Sequence, residues 1–181
     1  MTVSIVACGP SAKEWHKVPC DLSIGVNDCF KFGHNVDYLV VVNAPHKFEP
    51  SDKNGNTDRL QIIRESKPKR FFSHDRRWLK YFANAELLTL KPFLGMARKN
   101  RVLHSKTSPF IAVSIAFNAG AKDIILWGID FKDHPDIKGK LMSHELEQYR
   151  RLFASLNNQG VHCWVGSKES VLSKYLPVWK P

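Results

Sequence analysis

The chain has 181 residues, 43% of them hydrophobic and 24% charged, with 27 Lys and Arg against 17 Asp and Glu. That length and composition argue for one folded domain (residues 1–181) around one core, and exclude collagen-like, coiled-coil and disordered chains. No apolar run is long enough to cross a bilayer, no secretory leader is visible, and Cys8, Cys20, Cys29 and Cys163 lack metal-site spacing; a cytoplasmic chain with reduced thiols and no bound metal is expected.

The first predicted strand is Val3 to Ala7, stopped by Cys8-Gly9-Pro10-Ser11 and followed by a short helix from Ala12 to Lys17. Leu22 to Val26 reads as a second strand ending at Asn27-Asp28. Tyr38 to Val42 reads as a third, ending at Asn43. Their continuous hydrophobicity predicts a parallel sheet covered on both faces. Shorter elements follow at 59–65 (helix), 70–73 (strand), 74–82 (helix) and 86–90 (strand). Residues 91–106 read as a basic, irregular, mobile loop. Pro109 opens a strong helix that ends at Gly120, and Asp123 to Trp127 is the next strand, ending at Gly128-Ile129-Asp130. Residues 132–143 read as a second mobile loop. An amphipathic helix from His144 to Gln159, a late strand from Val161 to Val165 and a short helix near 168–174 complete the chain.

Strands alternating with helical crossovers define an α/β fold, a Rossmann-like parallel sheet flanked by helices with a basic lid-like insertion. Such sheets bind ligands beyond the carboxyl ends of their strands. Gly9, Pro10, Ser11, Asn27, Asn43 and Asp130 all fall at that edge. Ser11, or the backbone after Gly9, is placed to hold a phosphate at a helix N-terminus. The charge is uneven: residues 64–106 carry twelve basic and three acidic side chains. Such a field attracts polyanions. Arg76, Arg77, Arg98, Lys99, Arg101 and Lys106 are the candidates for binding one.

Cys8-Gly9-Pro10-Ser11, Gly25-Val26-Asn27-Asp28, Val42-Asn43-Ala44-Pro45, Thr107-Ser108-Pro109 and the run Lys122 to Phe131 resemble, in order and spacing, a small family of bacterial sialyltransferases. These enzymes use CMP-sialic acid and make lipo-oligosaccharide sialosides. A broader Rossmann-like group, including pterin pyrophosphokinase-like proteins, shares the Gly-Pro-Ser and Gly-Ile-Asp patterns. The resemblance skips the region between Asn43 and Thr107. It implies an inverting, metal-independent transfer from a nucleotide-sugar donor to a hydroxyl acceptor, with no cofactor and with His144 as general base. It implies that Asn27 and Asn43 lie at the donor site, that Thr107 and Ser108 face ribose or phosphate, and that Gly128 and Asp130 lie near the nucleotide. Lys132 and Lys138 stand where the family has two tyrosines that hold the leaving phosphate, and as point charges they suit the same task. Cys8 stands in place of an asparagine, Ser105 of an arginine and Pro109 of a glycine.

The acceptor is expected to be anionic, DNA or a glycan, and a homo-oligomer whose neighbour completes the cleft is compatible with the short chain. Three other readings stay open: a nucleic-acid-binding protein on a catalytically retired fold, a phage-type DNA-modifying glycosyltransferase, and a pyrophosphokinase-like enzyme using Asp130, Asp133 and Asp136.

Overall fold

The computed structural model describes residues 1–52, 55–131 and 139–180. Its centre is a seven-stranded, fully parallel sheet in the order β5-β4-β3-β2-β1-β8-β9. The strands are β1 (Thr2–Val6), β2 (Leu22–Val26), β3 (Tyr38–Val40), β4 (Arg70–Ser73), β5 (Glu86–Leu87), β8 (Asp123–Trp127) and β9 (His162–Val165). A second, two-stranded parallel sheet pairs β6 (Leu90–Pro92) with β7 (Val102–His104). The helices are α1 (Arg59–Glu65), α2 (Ser108–Asn118) and α3 (Gly139–Asn157), supplemented by 3-10 turns such as Pro10–Lys17 and Arg76–Lys80.

Both sheet faces are covered, which is why β1, β2 and β8 are apolar without alternation. On one face Phe110, Val113, Tyr149, Leu152 and Leu156 of α2 and α3 pack on Val3, Ile5, Ile24 and Ile124. On the other, Trp15, Phe48, Leu60, Ile63 and Trp78 pack on Leu39, Phe71 and Ile125. Nine of the eleven α2 residues are buried, because α2 is sandwiched between the main sheet and the β6–β7 pair. A helix so enclosed has no polar stripe. Its inner Ser114 hydroxyl accepts from Leu103 N–H (2.9 Å) and donates to the Arg101 carbonyl (3.1 Å), which fastens the β6–β7 pair to the helix.

Three predicted stretches differ. Residues 91–106 contain the ordered β7 and the end of β6, where an irregular segment was expected. The predicted helix start at His144 lies inside α3, which begins at Gly139. The predicted strand over 86–90 is two separate pieces, β5 and β6, in different sheets.

Candidate functional site

β1 lies between β2 and β8, so the connections leave it in opposite directions and its carboxyl end is the topological switch point, where sheets of this kind form their ligand crevice. In a βαβ crossover the helix runs back against the strands, so its N-terminus sits at that same edge. The return of α2 confirms the direction: Lys122 N–H, just beyond it, bonds the Met1 carbonyl (2.8 Å) at the opposite edge. The edge therefore gathers the ends of β1, β2, β3 and β8, the start of α2 at Ser108, and the first turns of α3.

At the end of β1, Gly9 N–H donates to the Gly128 carbonyl (2.9 Å) and Gly128 N–H donates to Ser11 Oγ (2.8 Å). Ser11 in turn donates its N–H and its hydroxyl to the two oxygens of Asp130 (2.9 and 2.5 Å). The turn's anion position is thus filled by the protein's own buried carboxylate, with Ser11 and Asp130 partnered to each other across the crevice floor. Gly9 is required here by close approach, since a Cβ would stand 2.5 Å from Asp130 Oδ2 and 2.6 Å from the Gly128 carbonyl oxygen. Gly9→Ala should cost about 1–3 kcal/mol as an overpacked, immovable contact, read as a lowered midpoint in urea with unchanged slope.

At the end of β2, Asn27 is held in the left-handed region (φ 54°), a conformation asparagine tolerates. Its backbone N–H bonds the Val40 carbonyl (3.0 Å), while its side-chain Oδ1 is buried with no hydrogen-bond partner among the described residues. Phe131, after Asp130, also has positive φ (53°), which a bulky residue adopts only under constraint. Its ring packs edge-on against Tyr149 (centroids 5.6 Å). Asn43 is exposed, and its carbonyl accepts from Trp78 Nε1 (2.8 Å).

Sequence reasoning missed two buried carboxylates beside this crevice. Asp28 is bound by Arg59 through both guanidinium branches (Nε to Oδ2 3.0 Å, Nη2 to Oδ1 2.6 Å) and also accepts the Cys8 thiol (3.4 Å). Burial pushes the Asp28 carboxyl up, but the Arg59 hydrogen bonds and charge more than reverse this and hold it below the usual carboxylate range. Burial and then the Asp28 charge push the Cys8 thiol well above its ordinary value, so Cys8 stays a neutral donor to Asp28 and to the Val26 carbonyl (3.3 Å). The signal for Arg59 was a cation at the first position of a helix, where the dipole disfavours it unless a specific anion is present.

Glu145 is fully buried and accepts from Ser105 Oγ (2.6 Å) and Lys106 N–H (3.2 Å). One turn on, Tyr149 OH pairs with Thr107 Oγ1 (2.7 Å). The approach to α2 is therefore fastened to α3 at Ser105, Lys106 and Thr107. The signal was present in spacing: Glu145 shares the helix face of Tyr149, Leu152 and Leu156. Glu145→Ala would leave the part-buried Ser105 hydroxyl and Lys106 N–H without their acceptor and should cost about 1–3 kcal/mol, measured by thermal melting. Its neighbour His144, about 100° further round α3, is exposed.

The structure divides the basic candidates. Arg76 and Arg77 follow β4 at the crevice edge, with Arg77 paired to Asp75 (2.6 Å), and Lys106 precedes α2 at the same edge. Lys99 instead donates to the Phe117 carbonyl (2.8 Å), and Asn100 N–H bonds Asn118 Oδ1 (2.9 Å) at the far end of α2. By helix rise that is about 14 Å from Ser108. Arg101, whose carbonyl accepts from Asn118 Nδ2 (2.8 Å), and Arg98 belong to that far end as well. The six residues grouped by sequence do not form one patch. Lys132 and Lys138, like Asp133 and Asp136, lie outside the described residues. Among the described residues no three His, Cys, Asp or Glu side chains come together as a metal group.

A parallel sheet covered on both faces, with polar strand ends gathered at the switch point, is a Rossmann-like α/β fold. Solved structures share it over nearly the full chain. The sialyltransferase CstII from Campylobacter jejuni in complex with the substrate analogue CMP-3FNeuAc superposes with a TM-score of 0.59 at 15% identity, covering 98% of this chain and 84% of that one. The sialyltransferase Cst-II in complex with a trisaccharide acceptor and CMP gives 0.60 at 16% identity (98% and 86%). The monofunctional alpha-2,3-sialyltransferase Cst-I from C. jejuni gives 0.60 at 15% identity (98% and 79%). No protein-family model matches the chain, and no curated protein matches it in sequence. This likeness establishes a sialyltransferase-like fold.

Proposed function

We propose that the protein is a glycosyltransferase that takes its sugar from a nucleotide-sugar donor, a CMP-sugar by preference, and passes it to a hydroxyl of an anionic acceptor. The donor lies across the switch-point crevice, with Asn27, Asn43, Thr107, Ser108 and Gly128 around the nucleotide and the Gly9-Pro10-Ser11 turn beneath it. The acceptor oxygen attacks the anomeric carbon from the face opposite the nucleotide. His144 takes the hydroxyl proton, the sugar–phosphate bond breaks, and the nucleotide leaves with the electron pair, inverting the carbon. Lys106, with Lys132 and Lys138, answers the charge on the departing phosphate without a metal. Arg76 and Arg77 are positioned to receive an anionic acceptor, DNA or glycan, at the same edge.

The observation that carries this reading is Asn27: a buried amide oxygen with no partner among the described residues, held in a left-handed turn near the switch point of a fold shared with enzymes crystallised with CMP. A buried acceptor without a donor is costly, and a base amine or ribose hydroxyl would complete it. The test is mass spectrometry of the chain incubated with a nucleotide-sugar panel and DNA and glycan acceptors, paired with thermal melts in cytidine nucleotides. A ligand at a hundred times its Kd stabilises by about 2.7 kcal/mol, which for this size raises Tm by about 5–10 °C. An acceptor mass increased by one sugar is expected. No shift with any nucleotide and no transferred mass overturn the reading.

A further inference from the structure

The turn after β6 is anchored at both ends yet turns its largest side chains outward. Phe93 N–H bonds the His104 carbonyl (3.2 Å) and Ala97 N–H bonds Ser155 Oγ (2.8 Å), while the Ala97 carbonyl accepts from Gln159 Nε2 (3.0 Å). Phe93 and Ala97 are buried, but between them Leu94 is 82% and Met96 59% exposed. Gly95 keeps a positive φ of 92°, and Arg151 packs so closely over it that a Cβ would stand 2.3 Å from Nη2. The turn is built to hold two aliphatic side chains in solvent, beyond the scatter of single exposed apolar residues.

Its surroundings are cationic. Lys91, Arg98 and Arg101 are exposed on the same segment, whose residues 91–106 contain no acidic side chain. A groove along the outer face of α3 joins Gly95 and Met96 to Arg150 and Arg151, and continues past Arg150 to the half-exposed Tyr175. Glu147 on that face is tied to Arg150 (2.7 Å). Aliphatic tips ringed by Arg and Lys, with a tyrosine at the margin, match the chemistry of an anionic bilayer surface: acyl chains for the tips, phosphates for the cations, the headgroup level for the phenol. A nucleic acid would want aromatic faces for stacking, which Leu94 and Met96 do not offer.

We infer that this face, the Leu94–Met96 turn with the outer side of α3, seats the protein on the surface of an anionic membrane. The described helices include none long and apolar enough to cross one, so the contact is peripheral. It is independent of the transfer chemistry proposed above. The test is co-sedimentation of the full chain with phosphatidylcholine vesicles, with and without phosphatidylglycerol. Binding to the anionic vesicles alone, weakened by added salt, is expected. The double variant Leu94→Asp with Met96→Asp should bind about tenfold or more weakly. Lys13→Asp, on the opposite face of the sheet with the same change in net charge, should bind within about threefold of the parent. Circular dichroism of both variants checks the fold. Absence of binding to anionic vesicles, equal losses in both variants, or a dimer in solution dispersed by the double variant would each overturn the inference, the last by assigning the face to a second copy.

Discussion

Arg59→Met should melt roughly 6–12 °C below the parent at neutral pH, corresponding to about 3 kcal/mol for a chain of this size. The Asp28 carboxylate is only 4% exposed, and it is buried with a guanidinium that is 31% exposed. Removing one partner of a buried pair leaves an uncompensated charge, which typically costs 3–5 kcal/mol; the partly solvated Arg59 places the effect at about the low end. The pH dependence follows from the direction of the shift. Because folding lowers the Asp28 pKa, the pair's contribution is complete above the unfolded carboxylate value of about 3.9 and is lost as pH falls through the lower folded value. In Arg59→Met burial is opposed only by the weaker influences of the Lys31 charge and a backbone hydrogen bond, so the folded Asp28 pKa lies above that of the parent and acid protonates the variant's folded state earlier. The gap between variant and parent should therefore narrow on acidification, as melts from neutral pH downward would show. In an Asp28→Asn background the same Arg59 substitution should cost far less. An undiminished loss there would show that Arg59 acts through other contacts.

That pair also marks the boundary of what the sequence discloses. The strands β1, β2 and β8 are legible because a parallel strand buried on both faces is a short apolar run bounded by turn residues, and nothing else in the chain competes with that pattern. The switch-point edge is legible for the same reason: polar residues that end such strands must share one edge. The β6–β7 pair is not legible. Each strand is three residues long, and β7 buries only Leu103, so neither period nor run length announces it. The helix from Pro10 to Lys17 is read as helical but not as 3-10. Its geometry is set by Asp130, distant in sequence, holding Ser11 at the first turn. The basic segment misled for a related reason. Charge counted along the chain says nothing of height along α2, and it is the bonds of Lys99 to the Phe117 carbonyl and of Asn100 and Arg101 to Asn118 that separate Arg98, Lys99 and Arg101 from Arg76, Arg77 and Lys106. The buried carboxylates were half-visible: Glu145 lies on the apolar stripe of its own helix, but its partners Ser105 and Lys106 belong to a segment that shows no periodicity.

His144→Ala should leave folding intact and slow sugar transfer by about 10²–10⁴-fold, the usual contribution of a positioned general base. The geometry separates this from a structural effect. His144 is exposed on α3, whereas the adjacent Glu145 faces inward and fastens α3 to the approach of α2, so truncation at 144 removes no buried partner. The variant should keep the parent Tm and the parent shift on adding a cytidine nucleotide, because the proposal puts the nucleotide beside Asn27, Thr107 and Gly128 rather than on His144. Loss should fall on kcat with KM for the donor nearly unchanged, the pattern of an interaction made chiefly in the transition state. Glu145→Ala is the contrast: by loosening Thr107 and Lys106 it should lower Tm and raise donor KM together. The comparison is decisive because both residues sit in the same turn of one helix. Equal transfer rates in His144→Ala and the parent would remove the base from α3 altogether. A matching fall in Tm would move His144 from proton acceptor to a part of the scaffold.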